Sequence, residues 1–171
     1  MEESKSKEEL IRQLNSLLAT RDTGWSTFKT LTLAAYGYGE VTKWNLKAIK
    51  NEIKPLLRKL HAVIDCSIMT APDWISRGSD RDHPLLLCKI RSGLQLLRSL
   101  SGLHDDDDDV GAVDACLEIR LKKTQMPHPV PDFVADSHWW WNLAREEAAL
   151  DQDSSQSEQG YESGGETSDQ S

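Results

Sequence analysis

Residues 41–69 read VTKWNLKAIKNEIKPLLRKLHAVIDCSIM, the stretch with the strongest periodic signal in the chain. Its apolar residues recur at steps of three and four, which is typical of one face of an amphipathic helix. They are Leu46, Ile49, Ile53, Leu56, Leu60 and Val63. Pro55 lies inside the stretch, and the apolar spacing keeps its phase through it. The pattern therefore favours one kinked, continuous helix over a restart at the proline.

A row of cations follows the same stretch at nearly the same spacing: Lys43, Lys47, Lys50, Lys54 and Arg58. On a helix this row lies roughly 120° from the apolar face. One face can then pack while a neighbouring face presents positive charge. We predict that the row contacts an anion, which is a nucleic acid, an anionic membrane or an acidic protein. An ordinary solvated helix face is the alternative.

The formal net charge of −8 is unevenly distributed along the 171 residues. Residues 151–171 hold six acidic residues and no basic one, and Asp105–Asp109 are five consecutive aspartates. Without these two blocks the rest of the chain carries a formal charge of +3. The predicted organisation is one compact domain, residues 1–150, followed by a disordered acidic tail, residues 151–171.

The cysteines and the distribution of apolar residues indicate where in the cell the protein is expected. Cys66, Cys88 and Cys116 are far apart and odd in number, which predicts buried free thiols in a reducing, cytoplasmic compartment. Residues 1–9 are charged and no apolar core follows, so no signal peptide is expected. No apolar run approaches the ~18 residues that a transmembrane helix needs.

The first part of the chain alternates helix and turn signals. The pattern Ser6-Lys-Glu-Glu9 resembles a capping box, and the leucines after it predict a helix over about 7–21. Residues 27–33 alternate threonine with aromatic and aliphatic residues, which favours a strand, although a helix face also fits. Gly37-Tyr38-Gly39 predicts a turn.

The second half predicts one central helix and a second ambiguous segment. Residues 70–82 are expected to form a loop with at most one helical turn, and Pro84 to open a buried helix that ends at Gly102. The alternation Leu117-Glu-Ile-Arg-Leu121 favours a strand over residues 117–123, with a helix from Val110 as the alternative. The fold class is therefore mainly α, or α+β if the two strands pair.

Metal and catalytic sites are not expected. The aspartate run lacks the alternating spacing of a calcium loop, so it predicts a solvated acidic loop, which can also mask the basic helix. The histidines show neither metal-ligand spacing nor a nucleophile partner. They are His61, His83, His104, His128 and His138. We expect no cofactor.

The end of the domain is rich in tryptophan. Residues 126–133 contain three prolines and are expected to be extended, and Ser137 is a candidate cap for a last helix to about Leu150. Trp139, Trp140 and Trp141 would point about 100° apart on a helix, so one chain can hardly bury all three on one face. They predict an interface with a partner or a membrane surface, or a helix enclosed by the fold.

The acidic tail carries two candidate phosphorylation sites. Ser155 and Ser163 each have a glutamate three residues later, a spacing that acid-directed kinases accept. Phosphate there would add to the negative charge of the tail.

The order of these elements resembles that of the small matrix proteins of plant-infecting rhabdoviruses. The resemblance covers residues 25–145: a Thr-rich strand, a long helix, a second helix, the Leu117–Leu121 strand and the Trp-rich end. It implies a protein that condenses a ribonucleoprotein and bridges it to a membrane. The Pro-Pro-x-Tyr peptide of animal-virus members is absent, and the resemblance assigns no role to individual residues.

These observations predict a non-enzymatic structural or adaptor protein that self-associates and contacts an anionic partner without sequence specificity, either a ribonucleoprotein or a membrane surface. A viral matrix-type role in the virion is its most concrete form. One alternative is a cellular adaptor that tail phosphorylation regulates. Another is an enzyme whose residues converge only in space.

Overall fold

The computed structural model of the protein describes residues 1–77, 84–101, 108–123, 130–135 and 137–141. Six long helices follow one another within these residues, and no described residue belongs to a β-strand. The helices are α1 Glu2–Thr20, α2 Trp25–Val41, α3 Lys47–Lys59, α4 His61–Arg77, α5 Pro84–Ser101 and α6 Asp108–Lys123. The prediction of a mainly helical domain is confirmed, whereas the predicted disordered tail, residues 151–171, lies outside the described residues.

Two hydrophobic cores lie on either side of the α2–α5 pair. The aliphatic core joins α1 and α3 to this pair. Its buried members are Leu10, Leu14, Leu17, Leu31, Ala35, Tyr38, Ile49, Ile53, Leu57, Leu60, Val63, Leu96, Leu97 and Leu100. The aromatic core joins α4, α6 and residues 130–141 to the same pair. Its buried members are Phe28, Tyr36, Ile68, Ala71, Ile75, Leu87, Cys88, Ile90, Leu94, Val110, Val113, Leu117, Leu121, Trp140 and Trp141.

The crossing of α2 and α5 depends on a glycine. A Cβ atom on Gly93 would collide with the backbone carbonyl of Thr32, so the two helices approach closely enough there to exclude any side chain. Thr32 is itself buried, and its hydroxyl donates to the carbonyl of Phe28 at 3.0 Å. The close contact places the middle of α5 against the middle of α2.

The strand prediction for residues 27–33 is wrong, because this segment is the first half of α2. Two of its threonines bond to carbonyls inside the helix, as Thr30 does to Ser26 at 2.9 Å, and Thr27 donates to the carboxylate of Asp22 before the helix at 2.6 Å. Because α2 packs into both cores, buried residues lie on more than one side and no clean helical stripe appears. The predicted turn at residues 37–39 is wrong too, since the helix continues to Val41.

The strand prediction for residues 117–123 is also wrong, and the alternative helix is the one observed. In α6, Val113, Leu117 and Leu121 are buried on one face, while Ile119 is 58% exposed. The strand-like alternation of apolar residues at 117, 119 and 121 therefore arises because an exposed isoleucine lies between two buried leucines.

Residues 41–69 form two helices and not one. Lys43 and Trp44 have φ values of 52° and 64°, so α2 and α3 are separated by a left-handed turn. Helix α3 continues through the exposed Pro55, as predicted, but it ends at Lys59. Leu60 alone separates it from α4, which runs to Arg77 with Pro72 inside it, so the predicted loop at residues 70–82 is wrong over its first eight residues.

The predicted boundaries of α1 and α5 are closer to the observed ones. Helix α5 begins at Pro84 and is buried along much of its length, which confirms the predicted central helix. Helix α1 begins at Glu2, not near residue 7, because Glu2 and Glu3 place negative charge at its positive end. It ends at Thr20, and Arg21 takes the left-handed cap conformation with its N–H donating to the carbonyl of Leu17.

The last described segment comprises residues 130–135 and 137–141, and we call it the C-terminal strap. It makes a turn at Asp132–Phe133, and Trp140 and Trp141 are helical. Backbone bonds from His138 to Ala135 and from Trp141 to His138 hold this part of the chain in tight turns. The strap closes the aromatic core beside α2 and α5. The predicted continuation of its helix to Leu150 lies outside the described residues.

Candidate functional site

Helix α3 presents four cations in one row, and we call this row the basic ridge: Lys47, Lys50, Lys54 and Arg58. Lys47, Lys50 and Arg58 are exposed and Lys54 is half-buried. On the side of α3 that faces the protein, Ile49, Ile53 and Leu57 are at most 2% exposed. The apolar positions thus fix the rotation of the helix, and this rotation directs the cations outward.

The ridge is electrostatically unbalanced. Within the described residues, none of its four cations forms an ion pair. Glu52 is the only acidic residue of α3, and it pairs with Lys7 of α1 at 2.5 Å. This pair is partly exposed, and the hydrogen bond to Glu52 raises the pKa of Lys7. Because α1 neutralises the carboxylate of α3, the ridge keeps its full positive charge.

Lys43 does not belong to the ridge, although the sequence places it in the same row. It lies in the left-handed turn before α3, with its Nζ atom 5.5 Å from the ring centroid of Phe133 and 3.9 Å from Asp132. Trp44, the next residue, packs its ring on Gly39 and stacks on Phe133 at 6.0 Å between centroids. Lys43 is therefore a contact between the turn and the strap.

The three consecutive tryptophans differ in exposure, and two of them are buried. Trp140 and Trp141 are 2% and 1% exposed, and Trp139 is half-buried. The fold buries two because the strap is covered by α2 and α5, with Tyr36 lying 6.1 Å from Trp141 between ring centroids. Only Trp139 keeps surface for the predicted contact with a partner.

Ser92 of α5 is the polar centre of this closure. Both indole N–H groups donate to its hydroxyl, from Trp140 at 3.0 Å and from Trp141 at 2.8 Å. These bonds fill both lone pairs of the oxygen, so the hydroxyl proton is left for Nδ1 of His138 at 3.1 Å. His138 then accepts at Nδ1 and carries its own proton on Nε2.

Arg91 completes the cluster on the neighbouring side of α5. Its guanidinium lies 4.4 Å from the ring centroid of Trp140 and forms a two-point ion pair with Asp114 of α6, at 2.6 and 3.3 Å. It also donates to Gln95 at 3.1 Å. The buried charge is thus satisfied by a carboxylate, an amide and an aromatic face, and it ties α5, α6 and the strap together.

Burial lowers the pKa of His138 to about 4, and the positive charge of Arg91 adds to the effect. A histidine that bonds to a serine suggests a nucleophile and its base. Here, however, Ser92 is fully buried, both of its lone pairs are occupied, and Asp114 binds Arg91 and not the imidazole. The group is a packing device with its polar atoms satisfied. No sequence pattern predicts this group, because Ser92 and His138 are 46 residues apart and form no motif.

The cysteines are free, but only one is buried as predicted. Cys88 is buried, and this burial raises the pKa of its thiol to about 12. Cys66 is exposed and Cys116 is half-buried, accepting from Ser76 at 3.2 Å, so the prediction of three buried thiols is wrong for both. His61 bonds to Asp65 at 3.2 Å. Among the described residues no group of side chains is arranged to hold a metal ion.

Several predicted features lie outside the described residues. These are His83, His104 and His128, the tail serines Ser155 and Ser163, and the aspartate run Asp105–Asp109 except for the backbone of its last two members, which begin α6. No helix in the described part of the chain is long and apolar enough to cross a membrane.

Comparisons with protein-family models, with curated proteins and with solved structures gave no match to this chain.

Proposed function

We propose that the chain is a non-enzymatic binding protein whose basic ridge docks on the phosphate backbone of RNA in a ribonucleoprotein. The observation that carries the proposal is the row of four cations on α3 that form no ion pair within the described part of the chain. The one carboxylate of α3 is neutralised from another helix. Phosphates attract such a row, and the release of their counterions drives binding.

The dimensions of the ridge suit an extended polyanion. From Lys47 to Arg58 the helix rises about 16 Å, at about 1.5 Å per residue. Each lysine can follow a phosphate independently because its ammonium group is a point charge on a flexible stem. Contacts of this kind position a nucleic acid without reading its bases.

RNA fits the ridge better than a membrane surface does. A helix that lies in a bilayer interface inserts its apolar face into the acyl region. In α3 that face is already committed to the aliphatic core through Ile49, Ile53 and Leu57. The exposed large apolar side chains among the described residues are on other elements: Met1, Met69, Trp74 and Ile119.

Two further features belong to the proposal. Self-association would use the half-buried Trp139, and sedimentation of Trp139→Ser against wild type tests it, with identical behaviour removing that contact. A viral matrix-type role is the narrower form. Its support is reduced, because both segments that resembled strands, 27–33 and 117–123, are helical. A cellular adaptor regulated by tail phosphorylation is the alternative.

Fluorescence anisotropy with a labelled single-stranded RNA tests the ridge. Lys50→Glu/Lys54→Glu should abolish most of the binding, whereas Lys59→Glu/Lys123→Glu should retain it. The control variant makes the same change in charge, and Lys59 lies on the same helix about 140° away from the ridge.

Salt provides a second measurement. Four phosphate contacts on a single strand predict a fall in affinity of roughly 50-fold between about 50 and 200 mM salt. Equal losses in the two double variants, or affinity that is insensitive to salt, contradict the proposal. Binding to anionic phosphatidylserine vesicles without binding to RNA would assign the ridge to a membrane instead.

A further inference from the structure

We propose that the acidic segment 151–171 of this chain docks on its own basic ridge and competes there with the polyanion. The competition rests on the proposed function, whereas the docking does not. The occupant we commit to is this segment in the same molecule.

The two surfaces are complementary in charge. The segment holds six carboxylates and no cation within 21 residues: Asp151, Asp153, Glu158, Glu162, Glu166 and Asp169. The ridge holds four cations and, with Glu52 paired to Lys7, no free carboxylate beside them on α3. Ser155 and Ser163 lie within the same segment, so phosphate on either would increase the complementarity.

Cations elsewhere in the described part of the chain compete poorly for this segment, because many already have partners. Arg12 pairs with Glu9, Arg91 with Asp114, and Lys122 with Glu118. Lys89 lies over the ring of Tyr36. Lys5, Lys59 and Lys123 are exposed, but they are dispersed over three helices. Arg120, Lys122 and Lys123 also lie together in the last turn of α6, but Arg120 and Lys122 have partners, so the ridge is the larger row of available cations among the described residues.

The last described residues of the chain lie beside the turn that precedes α3, the helix of the ridge. The strap contacts the turn that precedes α3: the ring of His138 lies 5.3 Å from that of Trp44, and Lys43 lies over Phe133. Trp141, the last described residue, packs against Tyr36 of α2. Helix α3 begins at Lys47, three residues after Trp44.

The connection is long enough to reach every ridge cation. Nine residues, 142–150, separate the strap from the acidic segment. As the helix predicted to Leu150 they would span about 14 Å, and the 21 residues of the acidic segment itself, if extended, would add up to about 70 Å, against a ridge ~16 Å long. A short tether holds the segment at an effective concentration in the millimolar range, so weak ion pairs suffice to occupy the ridge. Salt should release it, because the Debye length falls from about 10 Å at 0.1 M to about 3 Å at 1 M.

Zero-length carbodiimide cross-linking of the full chain, read by mass spectrometry, tests the docking directly. We expect links from residues 151–171 to Lys47, Lys50 and Lys54 in several-fold excess over links to Lys59 and Lys123, and loss of this excess at high salt. Links spread evenly over all exposed lysines would overturn the docking. Mixing isotope-labelled and unlabelled chains separates the alternatives, because mixed-isotope links would place the segment on a second copy.

A binding measurement tests the competition. Glu158→Gln/Glu162→Gln/Glu166→Gln should bind single-stranded RNA several-fold more tightly than Glu2→Gln/Glu3→Gln/Glu8→Gln, which removes the same number of charges from the exposed start of α1. Equal affinities refute competition. Preferred cross-links without any RNA binding would leave the docking intact and reject the proposed function. RNA binding without preferred cross-links would support the proposed function and reject the docking.

Discussion

The two cores share α2 and α5 but are held together differently. The aliphatic core is built from leucine, isoleucine, valine and alanine with one buried tyrosine, and its contacts need no direction. The aromatic core holds two tryptophans whose N–H groups require partners, and Ser92, His138 and Arg91 of the cluster beside them are buried as well. Directional bonds set the strap in one position, whereas α1 and α3 are held mainly by hydrophobic burial, with the partly exposed Lys7–Glu52 ion pair at the surface between them.

The difference has a consequence for which changes each core tolerates. An apolar core accepts swaps that conserve volume, because only shape and area count. A hydrogen-bonded core fails when one partner is removed, since the others stay buried without water. Ser92 and Tyr38 are the matched test, as each is a fully buried hydroxyl in one of the two environments.

The largest effect is expected for Ser92→Ala. The change leaves two indole N–H groups and the Nδ1 atom of His138 buried without their partner, which should lower the free energy of unfolding by about 3 kcal/mol. Urea denaturation monitored by tryptophan fluorescence measures it.

Ser67→Ala is the control for this loss. Ser67 is also buried, but its hydroxyl donates only to the carbonyl of Val63 within α4, so its removal orphans no donor. We expect about 1 kcal/mol or less. Equal costs for the two alanine variants would show that Ser92 is not a centre of the aromatic core.

The second largest effect is expected for acid pH, which should destabilise the aromatic core. His138 has a pKa of about 4 in the folded chain against an ordinary value of 6.5, so the unfolded chain binds its proton first as the pH falls. Stability from the neutral imidazole is therefore complete above pH 6.5 and is lost toward pH 4. Between pH 7 and pH 5 the loss should be about 2 kcal/mol.

The groups that face the imidazole support this sign. Arg91 repels a charged ring, and Trp44 and Trp140 offer only aromatic contact. His138→Gln has no titrating ring, so its unfolding free energy should change less over this pH range than that of wild type. Parallel pH profiles for the two proteins would exclude His138 as the source.

The smallest effect is expected in the aliphatic core. The hydroxyl of Tyr38 is buried and has no hydrogen-bond partner among the described residues, and burial raises its pKa. Tyr38→Phe should therefore leave stability unchanged or raise it by up to about 1 kcal/mol. A loss as large as that of Ser92→Ala would mean that the aliphatic core also depends on a polar contact. The same urea denaturation provides the comparison.

Sequence patterns predicted the helices whose apolar residues are mostly leucine and isoleucine. Helix α5 and the apolar face of α3 were found because their leucines and isoleucines keep helical spacing. Helix α2 contributes to both cores as α5 does, but its first half was missed because threonines alternate there with aromatic and aliphatic residues. In α6, exposed Ile119 imitated strand alternation. The two strand errors thus come from an alternation that strands also show, produced by threonines in α2 and by an exposed isoleucine in α6.

The same distinction applies to the candidate site. The ridge was predictable since its cations are close in sequence and their spacing is that of a helix. The bonds of Ser92 join residues 46 to 49 positions apart, and the residues around it resemble any buried helix. Neither spacing nor composition encodes that pairing, because it arises only when the strap returns to α5.

Leu60, the single residue between α3 and α4, gives the basic ridge a fixed orientation. It is fully buried, and its N–H donates to the carbonyl of Leu56 while its own carbonyl accepts from Ile64. The connection between α3 and α4 therefore does not act as a flexible hinge. A partner meets the ridge in one fixed orientation relative to α4. Adding one residue here would turn the register of one helix against the other by about 100°. The fold therefore constrains the number of residues between α3 and α4 to one.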